Sequence, residues 1–274
     1  MNMIAATSTA VGRFRDDYLG RNRRAEYAAL LWNAREAGYE LVTLADFYRR
    51  PRPRDGSTSR LLALRHDVDI RDVAGNETFW AVERAMGARS TFYFRRSTVH
   101  AHRAVIRRLL RDGFEVGYHF EEAAALAKQR GLKHRSEVFS QRDAIQDAFH
   151  RNCTAFRHRW NQDLVSAASH GDWINRRLGF NNHELLSPQL LADCGLLFEA
   201  YGEDIMSLAD VYVSDVARLP GRWAKGYGLA DALREARNPI YLLTHERRWF
   251  TNRRANAEAD LERLADGLQY RLRP

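Results

Sequence analysis

A run of four apolar residues, 61–64, leads directly into residues 65–69, which read Arg-His-Asp-Val-Asp. A continuous apolar run of this kind is typical of a strand buried on both faces of a parallel sheet. Functional side chains gather at the carboxyl ends of such strands, where Asp67 and Asp69 lie. Alternate residues of an extended segment point the same way, so both carboxylates are predicted to face one site, where a cation would relieve their repulsion. For either residue alone, capping of the next helix is the simpler alternative.

The composition is that of an ordinary globular protein. With 274 residues, 45% of them apolar and 28% charged, the chain can bury one large α/β core or two smaller ones. No apolar stretch reaches membrane-spanning length, and the N-terminus lacks the pattern of an export signal. Cys153 and Cys194 fall outside any metal-binding spacing. These features predict a cytoplasmic protein with no membrane span.

The net charge of +8 raises the alternative of a nucleic-acid binder. Arginine supplies nearly all of this charge and is scattered, without the basic and aromatic alternation that single-strand binders use. We therefore expect no nucleic-acid partner. A negatively charged substrate, such as a nucleotide-linked sugar, would also fit the charge.

About seven strand-like segments follow one another along the chain, mostly separated by helical segments. This alternation predicts an α/β fold with a parallel sheet, either open or closed into a barrel. Asp67, Asp69, His119, Arg157 and His245 all lie at or just after the carboxyl ends of predicted strands, Arg157 at the end of a short one. In a βα barrel those ends converge on one face, so these five side chains are predicted to share a site.

Five segments carry a resemblance to a known family: residues 64–69, 88–94, 113–119, 156–157 and 242–245. Taken in this order, they resemble the polysaccharide deacetylase (NodB homology) superfamily, carbohydrate esterase family 4, in the branch whose first motif reads Arg-His-Asp-Val-Asp. The resemblance implies a distorted (β/α)7 barrel with an N-terminal helical extension. It divides the chain into residues 1–60 (the extension and a basic loop), 61–250 (the NodB-like domain) and 251–274 (a C-terminal helix packed on the same domain).

The resemblance also implies a role for each of these side chains. Asp67 would be the general base that activates water, and Arg157 would orient it. Asp69 and His119 would bind a divalent metal ion, with zinc preferred and cobalt, nickel or manganese as alternatives. His245 would be the general acid that protonates the leaving amine.

One position departs from the family pattern. The family places a second metal-binding histidine four residues after the first, and this chain has Ala123 there. His170 is the best replacement ligand, with Glu121 and His158 as alternatives. Without a third ligand, the chain would be a non-catalytic sugar-binding member of the same fold.

The resemblance therefore implies a metal-dependent hydrolase that acts on carbon–nitrogen bonds other than peptide bonds. It would remove an acetyl group, most readily an N-acetyl group, from a sugar. With no export signal, a sugar-nucleotide or lipid-linked precursor of a cell-surface polysaccharide or lipopolysaccharide is the expected substrate. Trp160 and Trp249 are predicted to bind the sugar by stacking, although packing is the commoner role of tryptophan. The sequence gives no oligomeric state.

Overall fold

The computed structural model describes residues 14–50, 59–160, 163–216 and 223–273. Part of the basic loop predicted before residue 61 lies outside the described residues. The strands are β1 Tyr39–Val42, β2 Arg60–Val68, β3 Thr91–Phe94, β4 Glu115–Phe120, β5 Ser166–Ser169, β6 Phe198–Glu199, β7 Val211–Ser214 and β8 Ile240–Thr244.

Helices connect most of these strands. They are α1 Arg24–Glu36, α2 Leu44–Arg49, α3 Val73–Ala85, α4 Arg96–Val99, α5 Arg103–Arg111, α6 Glu122–Arg130, α7 Arg135–Phe139, α8 Arg142–Trp160, α9 Trp173–Leu178, α10 Pro188–Asp193, α11 Glu203–Met206, α12 Leu229–Arg234, α13 Glu246–Trp249 and α14 Arg253–Leu272. A π-helical turn spans Arg15–Leu19, and short 3₁₀ turns span Asn182–Leu185 and Ala224–Gly226.

The strands form one parallel sheet in the order β6-β5-β4-β3-β2-β8-β7, with β1 paired to the first half of β2. The sheet forms a half-barrel surrounded by helices, and no pairing joins β6 to β7 among the described residues. The predicted α/β fold, a distorted (β/α) barrel of parallel strands, is confirmed. Seven strands lie on the main path, and β1 adds an eighth from the segment before residue 61.

The central strand β2 shows how the sheet presents its site. Leu62 and Leu64 point outward into the main core between sheet and helices, whereas Leu61 and Ala63 belong to a second core cluster on the other face. Because side chains alternate along a strand, Arg65 and Asp67 lie on the same face as Leu61 and Ala63. The inner face of β2 therefore changes from apolar to charged toward its carboxyl end.

Close packing inside the sheet depends on Gly117 in β4. A Cβ atom at this position would lie 2.3 Å from the ring of Tyr93, and the Tyr93 hydroxyl lies 2.6 Å from Ser166 Oγ. Only glycine leaves room for the tyrosine to cross β4 and reach β5.

One predicted strand is wrong. Residues 154–157 lie inside α8, and the next strand of the sheet is β5, whose sequence is Ser-Ala-Ala-Ser. Small residues favour strands weakly, so the sequence pattern did not reveal β5. The error moves Arg157 away from the carboxyl edge of the sheet.

Candidate active site

The first part of the site is a buried ion pair at the end of β2. Arg65 and Asp67 lie on the same face, two residues apart, and both are almost completely buried. Arg65 donates from Nε to Asp67 Oδ1 (2.7 Å) and from Nη2 to Asp67 Oδ2 (2.8 Å). The Arg65 guanidinium also lies 4.1 Å from the centre of the Tyr201 ring and donates to the Tyr241 hydroxyl.

This pairing fixes both the charge and the orientation of Asp67. Burial alone would raise the pKa of Asp67, but the positive charge of Arg65, followed by His119, outweighs burial and holds it below the usual value. Two parallel hydrogen bonds to a planar guanidinium also hold the carboxylate in one plane. Asp67 is therefore a rigid carboxylate that faces the interior of the half-barrel.

The second part is a cluster of one carboxylate and two imidazoles. Asp69 follows β2, His119 lies in β4, and His170 follows β5. Asp69 Oδ1 is 3.2 Å from His119 Nε2 and 3.3 Å from His170 Nδ1. The three strand ends thus bring together the predicted metal ligands, including the replacement chosen for the position of Ala123.

The donor set of this cluster fits a cation. His119 Nδ1 lies 2.9 Å from the carbonyl oxygen of Ala168, which can only accept, so the Nε2 atom of a neutral His119 carries a lone pair toward Asp69. Asp69 Oδ1 is buried and receives no hydrogen bond within the described part of the chain. Lone pairs that converge on a buried carboxylate oxygen repel one another unless a positive charge lies between them.

The protonation states agree with ligation. Burial and the nearby charge of Arg95 lower the pKa of His170 well below its usual value, so its imidazole is neutral. Burial raises the pKa of Asp69, but the positive charge that His170, His119 and His245 carry when protonated outweighs burial, so the pKa lies well below the usual range and the carboxylate is ionised. A neutral imidazole and an ionised carboxylate are the forms that bind metal.

The other two ligands considered from the sequence are not at the centre of the cluster. Glu121 forms a two-point ion pair with Arg95 (2.7 and 3.2 Å), and its nearest approach to His170 is 4.0 Å. Glu121, His170 and Asp172 do form a second group with metal-ligand spacing, but Asp172 is held by Lys128 at 2.8 Å. His158 is exposed near the end of α8.

The third part is a histidine with its own carboxylate. His245 follows β8, and its Nδ1 atom lies 2.7 Å from Asp215 Oδ1. Asp215 Oδ2 accepts from the His245 backbone N–H (2.7 Å) and from Trp249 Nε1 (3.1 Å). Burial lowers the pKa of His245, but the charge of Asp215 and its hydrogen bond outweigh burial and raise it to about 9. His245 is therefore protonated at neutral pH, and its Nε2 atom lies 3.9 Å from Asp69 Oδ2.

These parts line one cavity of about 640 Å³ at the carboxyl edge of the sheet. Asp67, Asp69, His119, His170 and His245 all contribute to its wall. Farther out, the cavity is lined by Tyr201, by Trp173 at the start of α9 and by residues of α14. A carbohydrate-sized ligand fits a cavity of this volume.

Three sequence predictions are wrong. Arg157 lies within α8 and donates to the carbonyl oxygens of Cys194 (2.6 Å) and Leu164 (3.4 Å). The contact with Asp67 that was predicted for Arg157 from the sequence is made by Arg65. Trp249 is only 2% exposed and lies in the main core, where it supports Asp215 instead of binding a sugar. Trp160 packs against the same core and does not line the cavity.

Two functional residues were missed, although the sequence carried a signal for each. Asp215 directly follows β7, a strand that the sequence predicts over residues 211–214, so the rule that found His119 and His245 applies to it as well. Arg65 stands two positions before Asp67 in the first motif and shares its face of the strand.

No family model and no curated protein matches this chain. Among solved structures, a mutant of BA3943, described as a CE4 family pseudoenzyme with restored enzymatic activity, is 13% identical at a TM-score of 0.44 over 76% of this chain and 64% of that one. Another BA3943 mutant, described as a CE4 family pseudoenzyme, is 14% identical with a TM-score of 0.44, and the match covers 76% of this chain and 63% of that chain. A mutant of the peptidoglycan deacetylase PdaC from Bacillus subtilis is 12% identical with a TM-score of 0.28, and the match covers 78% of this chain and 97% of that chain. This chain thus spans less than two thirds of the two BA3943 chains.

Proposed function

We propose that this chain is a metal-dependent hydrolase that removes an N-acetyl group from a sugar. The observation that carries the proposal is the convergence of Asp67, the Asp69–His119–His170 cluster and His245 on one cavity. Amide hydrolysis needs a base for the attacking water, stabilisation of the oxyanion and an acid for the leaving nitrogen. The site has a candidate for each requirement.

Asp67 supplies the base. Both of its oxygens accept from Arg65, and Oδ2 also lies 3.6 Å from His119 Nε2, on the side of the metal-ligand cluster. Each carboxylate oxygen has a second lone pair, so Oδ2 can still take a proton from a water molecule bound at the cluster. Because Arg65 keeps Asp67 ionised and immobile, the base needs no rearrangement before the reaction.

Asp69, His119 and His170 would hold the metal ion, with zinc the expected occupant. When bound, a divalent ion at such a site lowers the pKa of a bound water molecule and stabilises negative charge on the carbonyl oxygen. The hydrogen bond from His119 Nδ1 to the carbonyl oxygen of Ala168 orients the imidazole so that Nε2 can bind the ion. His170 gives the cluster three donors despite Ala123, which argues for catalysis over sugar binding alone.

His245 supplies the acid. Asp215 fixes its Nδ1 atom and raises its pKa to about 9, so Nε2 carries a proton toward the cavity at neutral pH. An amine leaves a tetrahedral intermediate only when it is protonated, so this acid is suited to an amide substrate. The half-buried Trp173 and the ring of Tyr201 line the cavity where the sugar would bind.

Acetate release tests the proposal. The purified chain, supplied with zinc or cobalt, is incubated with N-acetylglucosamine oligomers, with a nucleotide-linked N-acetyl sugar and with an O-acetylated sugar. We expect turnover of an N-acetyl substrate that Asp67→Asn abolishes and that Asp193→Asn, an exposed control on α10, retains. Turnover that survives in Asp67→Asn, or its absence with every substrate and metal, would contradict the proposal.

A further inference from the structure

The C-terminal helix α14 presents its leucines to solvent. The sequence predicts an amphipathic helix packed through Leu261, Leu264 and Leu268, but these leucines are 66%, 64% and 60% exposed, and Leu272 is 84% exposed. The buried residues of α14 are Ala255, Asn256 and Tyr270. The helix therefore packs on the domain through a small, mixed face and leaves its apolar face uncovered.

The exposed leucines form one continuous patch, here called the leucine stripe: Leu261, Leu264, Leu268 and Leu272. Their spacing of three and four residues places them within an arc of about 80° on a helix that turns 100° per residue. Four adjacent leucines on one exposed helix face are more than the isolated apolar residues of an ordinary protein surface. Such a stripe indicates a docking surface.

The charges of α14 decide what would bind there. Each of its four acidic side chains is paired with a base: Glu258 with Arg254 at 2.9 Å, Asp260 with Arg247 at 2.8 Å, Glu262 with Arg71, and Asp266 with Lys128 at 2.7 Å.

In contrast, Arg253, Arg263 and Arg271 are exposed and form no ion pair within the residues that the structure describes. By its position on the helix, Arg271 lies beside the leucine stripe, and Arg253 lies on the same side of the helix about two turns before Leu261. The charged side chains of α14 that form no ion pair are therefore all arginines, although Arg247 and Lys128 each also pair with a second carboxylate, that of Asp17 and that of Asp172.

We propose that the leucine stripe docks this protein on the surface of an anionic lipid bilayer, with α14 lying parallel to the membrane. An apolar face bordered by arginines matches such a surface, because the leucines enter the acyl boundary while the guanidinium groups contact anionic headgroups. A second copy of the chain would bring Arg253 and Arg271 toward like charges, so it matches this surface less well. No helix among the described residues is long and apolar enough to cross a membrane, so α14 would lie at the interface.

The same helix also lines the catalytic cavity. Ala259, on the face of α14 opposite the leucine stripe, contributes to the cavity wall, and so do Asp260 and Glu262 on the two sides of the helix. Docking would hold the cavity about one helix diameter from the membrane, within reach of a sugar linked to a lipid. This consequence rests on the proposed function, whereas docking itself does not.

Vesicle sedimentation tests the docking, with the full chain, no added metal and no sugar. The probes are vesicles of phosphatidylcholine, with and without phosphatidylglycerol. We expect binding only to the vesicles that contain phosphatidylglycerol, and weaker binding as salt is raised. The double variant Leu264→Glu/Leu268→Glu should weaken binding by about tenfold or more, and Arg271→Glu by about fivefold or more.

Leu197→Glu is the matched control, because Leu197 is 45% exposed directly before β6, outside α14 and outside the cavity lining. It should bind vesicles like the unaltered chain. Equal binding by all variants, or no dependence on phosphatidylglycerol, would overturn the proposal. So would an absence of vesicle binding together with a dimer in sedimentation velocity that Leu264→Glu/Leu268→Glu dissociates, because a second copy would then cover the stripe.

Discussion

The pair of Asp215 and His245 gives a prediction that the structure makes quantitative. Asp215 Oδ2 accepts from two N–H groups, and Oδ1 faces His245 Nδ1. In Asp215→Asn, the amide oxygen can keep the two N–H donors only if the amide NH₂ faces Nδ1. Nδ1 must then become an acceptor, and the pKa of His245 falls from about 9 toward 6.5, because the largest charge that opposes burial is lost and only Asp69 and Asp67 still raise the pKa.

This change affects stability with a defined pH dependence. A histidine whose pKa is raised in the folded protein stabilises the fold fully below pH 6.5, and this contribution disappears as the pH rises through about 9. A shift of this size corresponds to about 3 kcal/mol. In the presence of a chelator, Asp215→Asn should therefore lower the free energy of unfolding by about 3 kcal/mol more at pH 6 than at pH 10.

The assay is urea unfolding of the metal-free chain at both pH values, followed by acetate release from the metal-loaded chain. The free energy of unfolding of the Asp193→Asn control should change equally at the two values. With the acid no longer protonated at neutral pH, kcat/KM of Asp215→Asn should fall by about two to four orders of magnitude. The same destabilisation by Asp215→Asn at pH 6 and pH 10, or unchanged kcat/KM, would refute this role of Asp215.

Substitutions at Arg65, Ala123 and Gly117, two of them accompanied by a comparison variant, test the packing around the site. Arg65→Met should lower the free energy of unfolding by about 3–5 kcal/mol and abolish turnover, because it leaves the Asp67 carboxylate buried without its partner. The control Arg157→Met should retain turnover. Urea unfolding measures the stability of each variant, and acetate release measures its turnover. Ala123 is 1% exposed and packs among apolar side chains. Ala123→His should therefore overpack this cluster, lower the free energy of unfolding by about 1–3 kcal/mol and lower the melting temperature. An unchanged melting temperature would show that the position has room for a histidine. Gly117→Ala should likewise lower the free energy of unfolding by about 1–3 kcal/mol, because the added Cβ atom clashes with the ring of Tyr93. Adding Tyr93→Phe to Gly117→Ala should not restore stability, since the phenyl ring remains in place.

The sequence predicted those parts of the fold in which the local pattern and the tertiary environment agree. The segments of β2 and β8 are apolar runs that the sheet buries on both faces, and each is followed by the polar residue that enters the site. His119 was predicted because it ends a strand-like segment, whereas His170 was chosen through the family resemblance, since the strand that precedes it was not predicted. These residues meet at one cavity because all the strands are parallel, which places their carboxyl ends at the same edge of the sheet.

The sequence failed where small residues form the sheet or where packing reverses an amphipathic face. β5 has the sequence Ser-Ala-Ala-Ser, which carries no strand signal, so the strand was assigned to residues 154–157 and Arg157 to the site. The leucines of α14 follow the spacing of a buried face, yet the helix packs through Ala255, Asn256 and Tyr270. Periodicity reports that a helix has an apolar face but not what covers it.

Metal content per chain decides whether Asp69, His119 and His170 form a metal centre. Elemental mass spectrometry is applied to the unaltered chain, to Asp69→Asn, His119→Ala and His170→Ala, and to the control His150→Ala, which is exposed on α8. We predict about one divalent ion in the unaltered chain and the control, and its loss from all three site variants. Metal retained by His170→Ala, or no metal in the unaltered chain after zinc is supplied, would contradict a centre built from these three side chains.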